Sequence, residues 1–384
     1  MTSLPKRIFI DALPLSAARS SGVGHATRGL IEALIHHPDF QDYEIVLVTT
    51  TRGYRFLKLW DFPRVRYVKL PVLTRIMNRL PTTPFMPWMD LLLGRGVYIF
   101  TNFRSWPLRR SQSATYIHDV AFMIYPENLT KRHLGHLMRH VRPWADRSNK
   151  VVTVSESSKA EIVRLLGIEA KKIIVAYNGV ELDELYPRTP MEITATLKKN
   201  KLPVDYLLFF GNIEPRKNLA RLVRAYAKLP APLRQKHPLL LVGGSGWRSE
   251  EIDAEIDQAK AAGNTIIRPD HYIDDTDRPV IISGAAGYVQ PSVHEGFGMP
   301  PLEAMACGVP VAVSNIPAHI EVVGDAAIMF DPLDEADITA KLEQLLTDQP
   351  LRQKLVAAGL ERVKQFTWDK GLAKLLTWIK SVSA

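Results

Sequence analysis

The sequence predicts an α/β protein built from two doubly wound parallel sheets. Three observations carry that reading. Short apolar runs alternate with helical stretches from end to end. The runs are continuous rather than alternating, as in strands buried on both faces. The alternation breaks once near the middle and then restarts, and 384 residues at roughly 150 per domain allow two domains.

In the first half, Lys6–Asp11 reads as a strand. Gly22–Gly24 reads as a turn, followed by a helix over Thr27–Leu34 with Leu30, Ile31 and Leu34 on one side. Tyr43–Val48, Val65–Leu70, Val97–Phe100 and Ala114–Ile117 are further strands. Leu129–Asp146 is a long helix, Val151–Val154 a strand, and Ser155 caps a helix over Glu156–Leu166. Lys172–Ala176 closes this half. Leu182–Leu202 holds Pro187 and Pro190, with Pro203 next, and shows no strong periodicity, so the linker belongs there.

The second half repeats the alternation. Strands are expected at Tyr206–Phe210, Pro238–Val242, Thr265–Ile267, Gly287–Gln290 and Val311–Val313. Helices are expected at Leu219–Leu229, Ser249–Ala262, Pro301–Cys307, Ala336–Leu346 and Leu351–Phe366. Such an order gives parallel sheets with helices on both faces and a cleft between the halves. Ligands then bind outside the carboxyl ends of the strands.

Composition narrows the class. With 46% hydrophobic and 23% charged residues the chain is neither disordered nor collagen-like. No apolar run approaches the roughly 20 residues of a membrane-spanning helix. Met1–Arg7 leads straight into a strand and lacks the apolar core of a signal peptide. The single cysteine, Cys307, excludes an internal disulfide framework and a cysteine metal cluster, and no other set of metal ligands stands out. A soluble or peripheral protein of a reducing compartment is expected.

The net charge of +9 is unevenly placed. Residues 1–190 carry 27 basic against 16 acidic residues, and 191–384 carry 22 against 24. Within 52–110 there are 12 basic residues and only two acids, Asp61 and Asp90. The same stretch holds Leu73, Ile76, Met77, Leu80, Phe85, Met86, Trp88 and Leu91, and Val72–Leu80 has amphipathic helical spacing before Pro81, Pro84 and Pro87. One explanation is an anionic membrane surface. The other is first-domain core with a solvated basic rim. No nucleic-acid motif accompanies the charge, so nucleic acid is not expected as a partner.

Four motifs sit at strand ends. Gly211-Asn212-Ile213-Glu214-Pro215-Arg216-Lys217-Asn218 puts a glycine at a strand tip and two cations before a helix, which suits an anion. A capped helix with solvated cations is the plainer alternative. His294-Glu295-Gly296-Phe297-Gly298-Met299-Pro300-Pro301-Leu302-Glu303 combines a tight glycine loop with two carboxylates eight residues apart. A carboxylate can accept from two sugar hydroxyls, although a helix-start acid also satisfies the dipole. His118 ends a buried strand at the expected cleft. Gly22 and Gly24 allow a loop to cover a diphosphate, and a simple tight turn explains them equally well.

These motifs resemble the retaining nucleotide-sugar glycosyltransferases of family 4, which have the GT-B fold. The matching runs are GNIEPRKNLARLVRAYAKLP, PSVHEGFGMPPLEAMACGVPVAVSNIPAHIEVVGDAAIMFDP, SGVGHATRGLIEAL and TVSESSKAEIV. The most similar branch is that of bacterial mannosyltransferases of polysaccharide assembly. The resemblance implies an acceptor-binding domain over 1–185 and a donor-binding domain over 200–366. It also implies that a last helix, about 367–384, packs back on the first domain. Carried onto this sequence, Glu303 would take the ribose hydroxyls and Arg216 and Lys217 the diphosphate. Glu295 with the Gly296, Phe297 and Gly298 loop would take the sugar, at the Gly211 strand tip. His118 would face the reacting side of the sugar, and Gly22 and Gly24 would close over the phosphates. Many relatives have arginine where this chain has Asn212, so the resemblance implies that Arg216 takes over its phosphate contacts.

The resemblance further implies a metal-independent enzyme without a cofactor. Its donor would be a nucleotide sugar, GDP-mannose by preference and a UDP- or dTDP-sugar otherwise. Its acceptor would be a glycan or a lipid-linked sugar in surface polysaccharide or glycolipid synthesis. The place of action would be the inner face of the cell membrane, as a peripheral cytoplasmic protein. Two other classes compete. A nicotinamide-linked dehydrogenase would need a glycine fingerprint directly after the first strand, but Ser21–His25 comes ten residues late without the third glycine. A basic protein that binds membrane or nucleic acid without catalysis would not need both glutamates and both cations.

Overall fold

The protein is described by a computed structural model at residues 6–16, 22–70, 88–244 and 250–383. It divides into two units: Met1–Ile124 with Thr130–Gly179 and Trp368–Ala384, and Tyr125–Leu129 with Val180–Thr367. Every strand pairing among the described residues is parallel.

The first unit contains β1 (Arg7–Asp11), β2 (Glu44–Thr50), β3 (Val65–Leu70), β4 (Val97–Phe100), β5 (Gln112–Tyr116), β6 (Lys150–Thr153) and β7 (Ile173–Val175). Their order across the sheet is β3-β2-β1-β4-β5-β6-β7. The apolar runs are continuous because both faces are covered. Ile8, Ile10, Ile45, Leu47 and Ile99 join one core cluster, and Phe9, Val46, Val48, Tyr98 and Phe100 join another. The Phe9 and Tyr98 rings stack across β1 and β4 at 4.4 Å. The helices here include α1 (Gly22–His36), α2 (Lys131–Arg147) and α3 (Glu156–Leu166). The Ser155 hydroxyl accepts from the Ser158 amide and caps α3, as its sequence signal predicts.

The second unit opens with α4 (Pro190–Lys199). The sequence reading placed only a linker there, and the structure corrects it. Thr189 and Glu192 form a capping box, and Pro190 occupies the first helical position, where proline starts a helix rather than breaking one. The sheet comprises β8 (Leu207–Phe210), β9 (Leu239–Val242), β10 (Ile266–Ile267), β11 (Gly287–Gln290), β12 (Val311–Ser314) and β13 (Ile328–Phe330), in the order β10-β9-β8-β11-β12-β13. Around it lie α5 (Leu219–Ala227), α6 (Glu250–Ala261), α7 (Arg278–Ser283), α8 (Met299–Ala306), α9 (Pro317–Val323), α10 (Glu335–Thr347) and α11 (Gln349–Arg362). The strand β13 and the helices α7 and α9 were not anticipated. Each is short, so periodicity had few residues to act on.

In each sheet the order reverses beside the first strand of the unit, between β1 and β4 and between β8 and β11. Open α/β sheets bind ligands at such reversals, beyond the carboxyl ends.

Gly22–Gly24 is not a free turn. These residues form the first turn of α1. Gly29, further along α1, is packed against the last helix, α12 (Trp368–Val382). α12 belongs to the first unit and sends Leu372, Leu375, Leu376 and Ile379 into its core. A Cβ on Gly29 would lie 1.9 Å from Cζ2 of Trp368. Gly29→Ala is therefore expected to destabilise the first unit by about 1–3 kcal/mol, the usual cost of overpacking. Urea unfolding of the variant should show the lower midpoint. An unchanged midpoint would mean that the Trp368 ring swings aside freely.

The Val72–Leu80 segment lies outside the described residues. Among the described ones, no helix is long and apolar enough to cross a membrane.

Candidate active site

In the second unit the unusual residues gather beyond β8 and β11. The backbone leaves β8 at Gly211, which has φ 152°. A Cβ on neighbouring Gly243 would sit 1.9 Å from the Gly211 carbonyl oxygen, so these two strand tips approach each other as only glycine permits. Pro215–Lys217 then forms a single 3-10 turn that ends at Asn218 in the left-handed region, φ 58°. The Asn218 amide pins this turn by donating to the carbonyls of Pro291, 3.0 Å, and Pro332, 2.7 Å. The Val293 amide donates to the Arg216 carbonyl at 3.0 Å, tying the loop after β11 to the loop after β8. Residues almost 80 positions apart in sequence are thereby held side by side.

The result is a compact charged cluster. Glu295 is 9% exposed. Its Oε1 accepts from Lys217 Nζ at 2.7 Å, Ser292 Oγ at 2.6 Å and Gln290 Nε2 at 3.0 Å. Its Oε2 accepts from Arg216 at 2.7 Å, and the same guanidinium donates to the His294 carbonyl, 2.7 Å, and to Glu214 Oε1, 2.8 Å. Burial pushes the Glu295 carboxyl up, but the charges of Arg216 and Lys217 outweigh it and hold the group well below the usual carboxylate range. The two cations are thus not freely solvated: Lys217 is 8% exposed and Arg216 is half-buried. Glu295 serves as their counter-ion, and both of its oxygens accept hydrogen bonds. Lysine carries three donors, and one of Lys217's goes to Glu295, so the cluster fixes the ammonium without exhausting it.

The loop continues through buried Phe297, whose ring meets Phe366 edge-on at 5.8 Å. Gly298 precedes α8 with φ 107°. A Cβ there would come 3.2 Å from Cδ2 of His319. Glu303 lies just over one turn into α8 and is 6% exposed. Its Oε1 pairs with Arg278 of α7, and its Oε2 is buried with no hydrogen-bond partner. Arg278 also lies over the Phe210 ring, 4.9 Å from its centre. A buried carboxylate oxygen without a donor is costly, so hydroxyl donors would be bound strongly there.

Sequence reasoning missed Arg278, Gln290, Ser292 and His319. An acid beside a glycine loop announces itself, whereas the partners that satisfy it come from other elements. His319 had no flag at all. Its Nδ1–H donates to the Ser314 carbonyl at 3.0 Å, and Nε2 is buried without a partner. Burial lowers its pKa to about 4, with the Glu295 charge acting in the opposite sense. The unfolded chain therefore takes up this proton first. The stability that His319 contributes is complete above pH 6.5 and is lost as pH falls toward 4, by about 3 kcal/mol. Urea midpoints measured across that window should fall more steeply in the parent than in His319→Asn. Parallel slopes would assign the acid sensitivity elsewhere.

The remaining candidates belong to the first unit. His118 follows β5, and its Nε2–H donates to the Thr101 carbonyl at 2.9 Å, which leaves Nδ1 as the acceptor of the neutral ring. Burial lowers its pKa, while the Thr101 bond and Asp119 act against that. Gly22 and Gly24 open α1, so their peptide groups lie in the amide-rich first turn of a helix. One acid here escaped notice. Asp11 ends β1, is 3% exposed and has Oδ2 buried without a partner. Its backbone carbonyl accepts from Thr101 Oγ1 at 2.6 Å, so Asp11, Thr101 and His118 form one chain across the ends of β1, β4 and β5. Burial raises the Asp11 pKa, opposed by Arg104. Cys307 is buried, and burial lifts its thiol to about 12, which removes it as a nucleophile. Among the described residues no group of ligands could hold a metal ion.

Comparison with known proteins agrees with this architecture. Residues 193–362 match the family described as glycosyl transferases group 1, and 20–184 match glycosyltransferase family 4. The O-antigen chain mannosyltransferase B of Escherichia coli is 36% identical over 264 residues, which covers 68% of each chain. The serotype-specific mannosyltransferase WbdA of Escherichia coli is 30% identical over 247 residues, 62% of this chain but only 30% of that one. Among solved structures, Anabaena Alr3699/HepE in complex with UDP and glucose superposes with a TM-score of 0.74 at 15% identity, covering 98% of this chain and all of the other.

Proposed function

The chain belongs to the family 4 glycosyltransferases of GT-B fold, and on that premise we propose that it is a retaining hexosyltransferase using a nucleotide sugar, GDP-mannose first. The observation that carries this reading is Glu303. Its buried, unpartnered Oε2 sits on α8, while buried Lys217 and half-buried Arg216 stand beyond β8 and β11, where the sheet order reverses. A nucleoside diphosphate offers hydroxyl donors to the first and phosphate oxygens to the second. The mannose preference is supported by the two mannosyltransferase relatives. A UDP-sugar is the second reading, supported by the UDP-bound Anabaena neighbour.

The chemistry follows from charge. As the bond between the sugar's anomeric carbon and the phosphate oxygen breaks, negative charge grows on the diphosphate. Arg216 and Lys217, already oriented by Glu295 and Glu214, stabilise that charge without reorganising. The acceptor hydroxyl oxygen bonds to the anomeric carbon from the same face, and its proton passes to the leaving phosphate oxygen. His118 enters this reading as a neutral ring whose Nδ1 can accept a hydrogen bond. In this reading Gly296, Phe297 and Gly298 shape the loop that receives the sugar, and Gly211 admits the nucleotide to the strand tip.

The acceptor is a glycan or lipid-linked sugar, and the protein works at an anionic membrane surface. Support for the membrane comes from Trp88, Leu91 and Leu92, which are 45%, 51% and 66% exposed, and from Arg109 stacked on Trp88 at 4.9 Å. A thermal-shift screen of GDP, UDP and dTDP tests the donor, because a ligand at 100 times its Kd stabilises by about 2.7 kcal/mol. GDP is expected to give the largest shift. The anomeric configuration of the product, followed by NMR in EDTA, tests retention and metal independence together. An inverted product refutes retention, and activity that returns only with magnesium or manganese refutes metal independence.

A further inference from the structure

The first unit carries a second cluster of charge, on α2. Its sequence, KRHLGHLMRHVRPWADR, has no acid in the first turn, where the helix dipole favours one. Lys131 and Arg132 stand there instead. Arg132, His136, Arg139 and His140 follow at the i, i+4, i+7 and i+8 positions of one face. Of these, Arg132 and Arg139 are exposed and permanently charged.

A solvent-open groove of about 600 Å³ lies along this stripe, bordered among the described residues by Lys131, Arg132, His133, His136, Arg139 and His140. His140 is 4% exposed, and its Nδ1 is buried without a hydrogen-bond partner. The His136 ring lies 4.7 Å from that of His140 and 5.6 Å from that of Trp144, so the imidazoles form a row leading inward from the groove. Burial lowers the pKa of both. His133, Arg104 and Arg139 add to this at His136, and His136 and Arg139 at His140. Gly135 lies on the same helix, and a Cβ there would meet nothing within 4 Å. Packing does not require this glycine, and it leaves the groove open.

We propose that the groove along the first half of α2 binds a phosphoryl group. A phosphate monoester or diphosphate brings about two charges and several acceptor oxygens, which match three permanent cations and two imidazoles. A carboxylate would leave most of them uncompensated. The phosphoryl group has two possible sources, a lipid headgroup or a soluble phosphate. The site lies within the first unit and does not rest on the donor chemistry proposed above.

The test uses the full chain and two probes. Inorganic pyrophosphate is titrated while the imidazole proton resonances of His136 and His140 are followed by NMR. Vesicles of phosphatidylcholine, with and without phosphatidic acid, are used for co-sedimentation. Arg132→Gln/Arg139→Gln changes only exposed side chains, and Gly135→Glu places an anion in the groove while improving helix propensity. Pyrophosphate should shift both histidines, and each variant should weaken that response by roughly tenfold or more. Shifts with pyrophosphate and equal vesicle binding by parent and variants identify a soluble ligand. Vesicle binding that needs phosphatidic acid and falls in the variants identifies a headgroup. If pyrophosphate leaves both histidines unmoved and the variants sediment like the parent, the proposal is wrong. The part of GDP affinity that Glu303→Ala removes should be the same in all three proteins, so failure of the donor reading would show separately.

Discussion

Lys217→Ala is expected to lower kcat by about 10²–10³-fold, the usual loss when one preorganised electrostatic contact is removed from a transition state. The competing explanation for such a loss would be unfolding, and magnitudes separate the two. Removing one partner of a buried ion pair commonly costs about 3–5 kcal/mol, because a charge is left uncompensated. Here Glu295 would keep Arg216, Ser292 and Gln290, all at 2.6–3.0 Å. The stability loss should therefore lie nearer 1–3 kcal/mol, the cost of one unsatisfied buried contact. A chain of this size survives that, so the variant should stay folded and inactive. The cleanest measurement is kcat at saturating donor, with and without a small alkylamine added to replace the missing ammonium. Partial rescue by the amine is expected. Near-normal turnover in both Lys217→Ala and Arg216→Ala would mean that the diphosphate is stabilised elsewhere.

The same cluster shows what the sequence could and could not reveal. The strand Val97–Phe100 was legible to the residue, because burial on both faces leaves an uninterrupted apolar run, whereas Val65–Leu70, at the sheet edge, carries Arg66 and Lys69 and buries only Leu70. The helix Glu156–Leu166 was legible from its serine cap. The linker was misread because prolines were taken as breaks, although Thr189 and Glu192 have the spacing of a capping box. At the site, Arg216, Lys217, Glu295 and Glu303 were visible as motifs. Their pairing was not: a motif carries residue types, while a carboxylate's partners depend on which strand tips meet. Glu295 pairs with both cations, a link that neither motif announces by itself. Arg278 had no local signal, because it neighbours Glu303 only once α7 packs beside α8.

Glu303→Ala is expected to weaken nucleoside diphosphate binding by roughly 10- to 100-fold while kcat at saturating donor changes little. A hydrogen bond to a charged group contributes about 1.5–3 kcal/mol, and each 1.4 kcal/mol is tenfold in Kd. The carboxylate has one oxygen engaged by Arg278 and one buried without a donor, so ribose hydroxyls would gain a partner that water does not supply. Because the nucleotide is held equally in ground and transition states, its loss should appear in binding rather than in turnover. The alanine variant also strands the Arg278 guanidinium, whose side chain is only 15% exposed. Some of any effect could then come from local collapse. Glu303→Gln separates the two: it keeps the shape and a carbonyl acceptor but loses the charge, so its affinity should fall between parent and alanine. Arg278→Leu should weaken binding as well, because Arg278 fixes the carboxylate's orientation. Calorimetric titration with GDP, and with UDP if GDP does not bind, decides the matter. Parent-like affinity in Glu303→Ala would remove this residue from the nucleotide site and leave its buried oxygen a purely structural burden.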